Sequence, residues 1–129
     1  MPPYESDQLE TMRLRLQRRR LELQNNRRGT ERELAALKGQ DRILEFEESA
    51  QSEAADYTLS LLLDQQRREL DLIDAAFQRL DAGSFGVCID CGQRISMERL
   101  RVLPYAIRCG EDAQRFERDR RGTDAYPSL

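Results

Sequence analysis

Three cysteines and an aspartate form the most concentrated chemistry in the chain. Cys88-x2-Cys91 is followed by seventeen intervening residues and then by Cys109-x2-Asp112. Two pairs of ligands, each two residues apart and separated by a gap of this size, have the spacing of a four-ligand zinc site. Each pair makes one knuckle, and two facing knuckles close a tetrahedron; Gly92 lets the backbone turn tightly beneath the first. Zinc binds aspartate oxygen at about 2.0–2.2 Å and thiolate sulfur at about 2.3 Å. Three thiolates and a carboxylate also carry the same formal charge as four thiolates. Two plainer readings compete. Asp112 and Glu111 fall in the first turn of a predicted helix, where carboxylates are favoured without a metal. The cysteines can also serve as small buried hydrophobes. The reading adopted is one zinc per chain, held by Cys88, Cys91, Cys109 and Asp112. Its role is structural, because the chain has no histidine and no general base accompanies the cysteines. No enzyme activity is expected.

The elements that must position these ligands are helical. The chain has 129 residues, 35% charged and 39% hydrophobic, with no Trp and only eight Phe and Tyr together. Mean hydropathy is −0.77. Such a composition does not fill a thick α/β core and fits a helix-rich molecule with a thin apolar seam. Leu9, Leu16, Leu23, Thr30, Leu37 and Leu44 recur every seven residues. Met12, Leu14 and Leu21 widen this apolar side, while Arg19 and Asn26 occupy places expected of a second apolar row. Asn25-Asn26 and Gly29-Thr30 are weak helix formers where a bend is expected, and Gly39 is the predicted stop. A second helix starts within 45–52, carries Leu59, Leu63, Gln66, Leu70, Ile73, Phe77 and Leu80 at alternating spacings of four and three, and ends at Asp81-Ala82-Gly83. Two such helices joined by a short link fold back as an antiparallel hairpin. From Glu48 to Leu80 the second arm would be about 50 Å long at 1.5 Å per residue.

Past Gly83 the texture changes to a turn-rich knuckle, one or two helical turns over 96–101 closed by Pro104, and a last short helix over 109–121. The predicted fold class is mainly α: a long antiparallel helical hairpin (coiled coil) attached to a small zinc-finger-like knuckle domain with a short C-terminal helix. The expected divisions are a flexible N-terminus at 1–6, the hairpin over 7–82 with its tip near 39–50, the finger and last helix over 83–122, and a flexible tail at 123–129.

Charge is uneven. The formal net charge is −3, yet residues 41–56 carry one basic and six acidic side chains. A general nucleic-acid binder would carry a basic stripe instead. No apolar run approaches the roughly 18–20 residues of a membrane span. The start, Met1-Pro2-Pro3-Tyr4-Glu5, lacks the basic and apolar regions of an export signal. A cytoplasmic, non-membrane location is expected, where clustered cysteines bind metal more often than they form disulfides.

Gly83-Ser84-Phe85-Gly86-Val87-Cys88-x2-Cys91-Gly92-x2-Ile95, with Arg99-Leu100-x3-Pro104 and Cys109, resembles the zinc-finger signature of the DksA/TraR transcription regulators, with Asp112 where four-cysteine members have their last Cys. Counting back without gaps, the family's tip pattern Asp-x-x-Asp-x-Ala falls on Glu45-x-x-Glu48-x-Ala50. The resemblance takes in 9–121, the first helix in character only. It implies a partner, bacterial RNA polymerase, bound without reading promoter sequence. It implies further that the coiled coil enters the secondary channel, that its tip approaches the active centre, and that the finger stays at the rim. Family members also help bind guanosine tetraphosphate with basic side chains, at positions that fall on Leu72, Leu103 and Ala113 here. No site for that nucleotide is therefore expected, with Arg101 and Arg108 as the nearby basic residues. Two other functions remain open: a zinc-ribbon module that binds nucleic acid, motivated by Arg94, Arg99, Arg101, Arg108, Arg115, Arg118, Arg120 and Arg121, and a self-associating coiled-coil adaptor. The polymerase reading expects a monomer whose two helices satisfy each other.

Overall fold

A computed structural model describes residues 4–40 and 46–120. Four helices account for most of it: α1 (Ser6–Gln40), α2 (Phe46–Ala82), α3 (Met97–Val102) and α4 (Gly110–Arg120). The chain packs as two units. One comprises Arg19–Asp71, and the other Met1–Arg18 with Leu72–Leu129, so each long helix contributes to both. None of the helices is long and apolar enough to cross a membrane, among the described residues.

In the Arg19–Asp71 unit, α1 and α2 run antiparallel and bury a thin stripe. Leu23, Leu34, Leu63 and Leu70 are its apolar members, and Thr30, Ser52 and Gln66 are buried beside them. Thr30 satisfies its hydroxyl by donating to the Asn26 carbonyl at 3.0 Å. Among the described residues, Ser52 Oγ and Gln66 Oε1 have no hydrogen-bond partner. Polar groups in the stripe gain less from burial than leucine does, because each must be satisfied or cost roughly 1–3 kcal/mol. Arg19, in the gap of the heptad, turns its charge to use: it forms an ion pair with Glu69 on α2. Arg67 of α2 similarly reaches Glu31 of α1 at 3.6 Å.

The expectations for α1 hold at Leu16, Leu23 and Thr30, all at most 5% exposed. They fail at Leu14 and Leu21, which are 57% and 62% exposed and do not widen the stripe. One partner helix covers only a narrow face, and these two residues lie off it. For the same reason Leu34 is buried where Leu37 is half-buried, and on α2 Ala76 is buried where Phe77 is half-buried. α1 runs through Asn25-Asn26 and Gly29-Thr30 and ends one residue past the predicted stop. α2 begins at Phe46, within the expected 45–52 start, so Phe46–Ala50, expected in the tip near 39–50, belongs to the helix. Glu45 lies outside the described residues; Glu48 falls in the first turn of α2, and Ala50 is exposed.

In the other unit, α2 ends in a glycine cap. Gly83 takes φ 79°, its N–H donates to the Leu80 carbonyl at 3.3 Å, and the Ser84 N–H donates to the Arg79 carbonyl at 3.0 Å. That double return satisfies two carbonyls the helix would otherwise leave open, and it turns the chain into the knuckle. Met12, Leu16, Ile73, Phe85, Ile95 and Leu100 are buried here, along with Tyr4 from ahead of α1. Fully burying each large side chain contributes about 1.5–3 kcal/mol. The Tyr4 ring lies against Gly86, with the Arg94 guanidinium 4.1 Å from its centre.

Candidate metal centre

The first knuckle is a narrow antiparallel turn. Val87 bridges Arg94, the Cys88 N–H donates to the Gln93 carbonyl at 2.8 Å, and the Ile95 N–H donates to the Gly86 carbonyl at 2.7 Å. Between these rungs Gly92, at φ 73°, reverses the chain, and its N–H donates to the Cys88 carbonyl at 3.0 Å. Only a residue without Cβ takes that conformation without strain, and the turn leaves Cys88 and Cys91 on the same side. The second knuckle is the start of α4. Cys109 immediately precedes the helix, its carbonyl accepts the Ala113 N–H at 2.9 Å, and Asp112 sits in the first turn.

Backbone and side chains tie the knuckles together. The Ile89 N–H donates to the Ile107 carbonyl at 2.9 Å, and Arg108 pairs with Asp90 at 2.8 Å. Arg99 Nε donates to the Arg108 carbonyl at 2.9 Å. α3, which carries Arg99, is started by Ser96, whose side chain accepts the Arg99 N–H at 3.2 Å. The Arg108 guanidinium also stacks on Phe116 of α4, 3.8 Å from the ring centre.

All four predicted ligands come together. One ligand atom from each of Cys88, Cys91, Cys109 and Asp112 lies within 4.8 Å of the others. Asp112 Oδ2 is 3.1 Å from Cys88 Sγ and 3.3 Å from Cys109 Sγ, and Cys91 Sγ is 3.9 Å from Cys109 Sγ. A tetrahedral zinc with ordinary bond lengths would set sulfurs about 3.8 Å apart and sulfur and oxygen about 3.5 Å apart. The cluster fits zinc with only small adjustment. Cys88 and Asp112 are buried, Cys109 is half-buried and Cys91 is exposed, so the site opens to solvent on one side.

The donors are coupled through protons. The thiols of Cys91, Cys88 and Cys109 donate to Asp112 and hold its carboxyl pKa down to about 2. The same carboxylate keeps the Cys91 thiol protonated, its pKa pushed up to about 12. The Cys88 thiol is lowered: burial works to raise it but is outweighed by backbone N–H groups of Cys109, Cys91 and Asp90. A divalent metal would replace these protons as the positive partner.

Two arginines that the spacing argument did not find serve this cluster. Arg79 donates to the Val87 carbonyl at 2.7 Å; burial lowers its pKa, and the nearby Cys88 charge opposes that shift. Arg115 contacts Asp112 Oδ1 at 3.3 Å. Only the i,i+3 spacing on the last helix hinted at the second contact; Arg79 stands nine residues before Cys88 on another element.

Fold and side-chain cluster define a class: proteins with two long antiparallel helices and a knuckle whose clustered cysteines could hold a metal. Residues 83–118 match the family model described as the prokaryotic dksA/traR C4-type zinc finger. The structure superimposes on transcription factor DksA2 from Pseudomonas aeruginosa with a TM-score of 0.81 and 32% identity, covering 91% of this chain and 88% of that one. The chain belongs to the DksA/TraR family. Among curated relatives, the RNA polymerase-binding transcription factor DksA of Caulobacter vibrioides is 38% identical over 58 residues, 45% of this chain and 41% of that protein. DksA of Haemophilus influenzae is 33% identical over 73 residues, 54% of this chain and 50% of that protein. These two alignments thus span about half of each relative or less.

Proposed function

We propose that the chain is a non-enzymatic transcription regulator that binds bacterial RNA polymerase. The observation that carries this reading is the superposition on a transcription factor along 91% of the chain at 32% identity. Relatives named for RNA polymerase binding support it further. In this reading the helical hairpin enters the secondary channel, and the carboxylates of Glu45 and Glu48, with Ala50, approach the active centre. The finger stays outside as a monomer's rigid base. Cys88, Cys91, Cys109 and Asp112 hold one structural zinc, whose chemistry is to crosslink the two knuckles. No sequence-specific DNA contact is involved, and the protein works in the cytoplasm.

The nucleic-acid reading is weakened by where its arginines are engaged. Arg94 stacks on Tyr4, Arg99 donates to the Arg108 carbonyl, Arg108 pairs with Asp90, and Arg115 pairs with Asp112. Arginines already committed within the fold are poorly available for phosphates.

The test is capture of core RNA polymerase by the intact chain and by a variant with residues 41–50 replaced by a Gly/Ser linker. Capture by the intact chain, together with altered transcription by a Glu45→Ala, Glu48→Ala variant that still binds, is the expected result. No capture at low salt would overturn the proposal.

A further inference from the structure

A carboxylate differs from the thiolate it replaces in having a second oxygen, and the metal centre must dispose of it. Asp112 Oδ2 faces the sulfurs of Cys88 and Cys109. Oδ1 faces the other way, to Arg115 Nη1 at 3.3 Å. The Asp112 side chain is only 7% exposed, whereas that of Arg115 is 65% exposed, so the arginine reaches in from the surface to a buried group. The two stand three residues apart on α4, on the same helix face. A cysteine at 112 would give Arg115 no oxygen to hold.

We propose that Arg115 is a positioning residue for the metal centre, holding Oδ1 outward so that Asp112 ligates through Oδ2 alone. The inference rests on the zinc reading of the cluster. Its chemical content is coordination number. With Oδ1 held by the guanidinium, the ion receives three sulfurs and one oxygen, the closed tetrahedral set of a structural site. With Oδ1 free, the carboxylate can rotate and offer both oxygens, and the ion moves toward five-coordination. The guanidinium adds a second effect. Three thiolates and a carboxylate overcompensate a divalent ion, and a cation at the outer oxygen offsets part of that excess. Groups that orient a ligand from behind in this way are typically worth about 10–100-fold in metal affinity. The exposure of Arg115 puts it at the low end, since solvent screens the pair.

Cobalt(II) reads both effects in the full-length chain, because its visible bands report coordination number and its charge-transfer bands report thiolate ligation. The wild type is expected to show thiolate charge transfer and intense four-coordinate bands. Arg115→Ala is expected to bind cobalt(II) and zinc about tenfold more weakly, with visible bands losing intensity as the second oxygen enters. The decisive arm is the Asp112→Cys background, where Arg115→Ala should leave the spectrum unchanged and cost clearly less affinity than in the wild type, although a merely structural role in α4 would cost the same in both backgrounds. Equal losses in the two backgrounds, or an Arg115→Ala spectrum and affinity matching wild type, would overturn the role of Arg115 while leaving the metal centre standing. Absence of thiolate charge transfer in the wild type would instead remove the metal centre, and the positioning role with it.

Discussion

Arg19 grips Glu69 with two arms of its guanidinium fork: Nε donates to Oε2 at 2.6 Å and Nη2 donates to Oε1 at 3.1 Å. The contact joins α1 to α2 where a heptad would set a leucine. Glu69 is the first cause of the raised Arg19 pKa, so the arginine stays charged throughout the accessible pH range. Side-chain exposures of 41% and 23% leave the pair partly screened, but its two-pronged geometry exceeds that of an ordinary surface ion pair.

Breaking that grip should cost about 1 kcal/mol. Glu69→Gln is expected to lower the unfolding midpoint by about 4 °C in low salt, and by less in 1 M salt. A double-mutant cycle with Arg19→Gln isolates the coupling. A coupling near zero would assign the hairpin's stability to its leucine stripe alone.

Gly86 is expected to tolerate no side chain. At φ 79° a Cβ is strained in any surroundings, and here it would also run into the Tyr4 ring. Gly86→Ala should lower stability by roughly 2 kcal/mol or more. In a Tyr4→Ala background, where the ring is gone, only the backbone strain of about 1 kcal/mol should remain. Thermal denaturation of the four proteins checks this. Equal losses in both backgrounds would mean that Tyr4 yields freely.

These contacts mark what was legible in the sequence. The clustering of Cys88, Cys91, Cys109 and Asp112 was, because knuckle spacing is local: Cys88 and Cys91 share one turn, and Cys109 and Asp112 share another. The hairpin was legible from Leu16, Leu23, Leu63, Leu70 and Ile73. The width of its stripe was not. Leu14 and Leu21 read as widening the apolar side of α1, yet a lone partner helix leaves them outside. Ala76 is buried and Phe77 only half-buried for the same reason, since the narrow covered face falls on position 76. The roles of Tyr4, Arg79 and Arg115 depend on geometry that period and spacing do not encode.

The chain should bind about one zinc, and its loss should loosen the segment from Cys88 to Asp112 while leaving α1 and α2 formed. The metal must displace thiol protons, that of Cys91 held most firmly by Asp112 among them, so affinity should fall steadily as pH is lowered. Asp112→Ala should weaken retention and Asp112→Cys should strengthen it. Elemental analysis with chelator competition at two pH values checks all three statements. Metal well below one per chain in protein purified without chelator would count against the site.

Guanosine tetraphosphate should leave the protein's effect on transcription largely unchanged. The positions at which the family pattern supplies basic side chains hold Leu72, Leu103 and Ala113, the first two half-buried and the last buried. Aliphatic groups offer neither charge nor donors to a phosphate. Of the two nearby arginines, Arg108 is already committed: its side chain is 13% exposed, pairs with Asp90 and stacks on Phe116. Arg101 is exposed on α3 and stands as the available substitute. Transcription is titrated with the protein at a responsive promoter, with and without the nucleotide, using polymerase stripped of its other site for that ligand. Superimposable titrations are expected. A several-fold shift on adding the nucleotide, abolished by Arg101→Ala, would show that Arg101 has taken over a role the aligned positions lost.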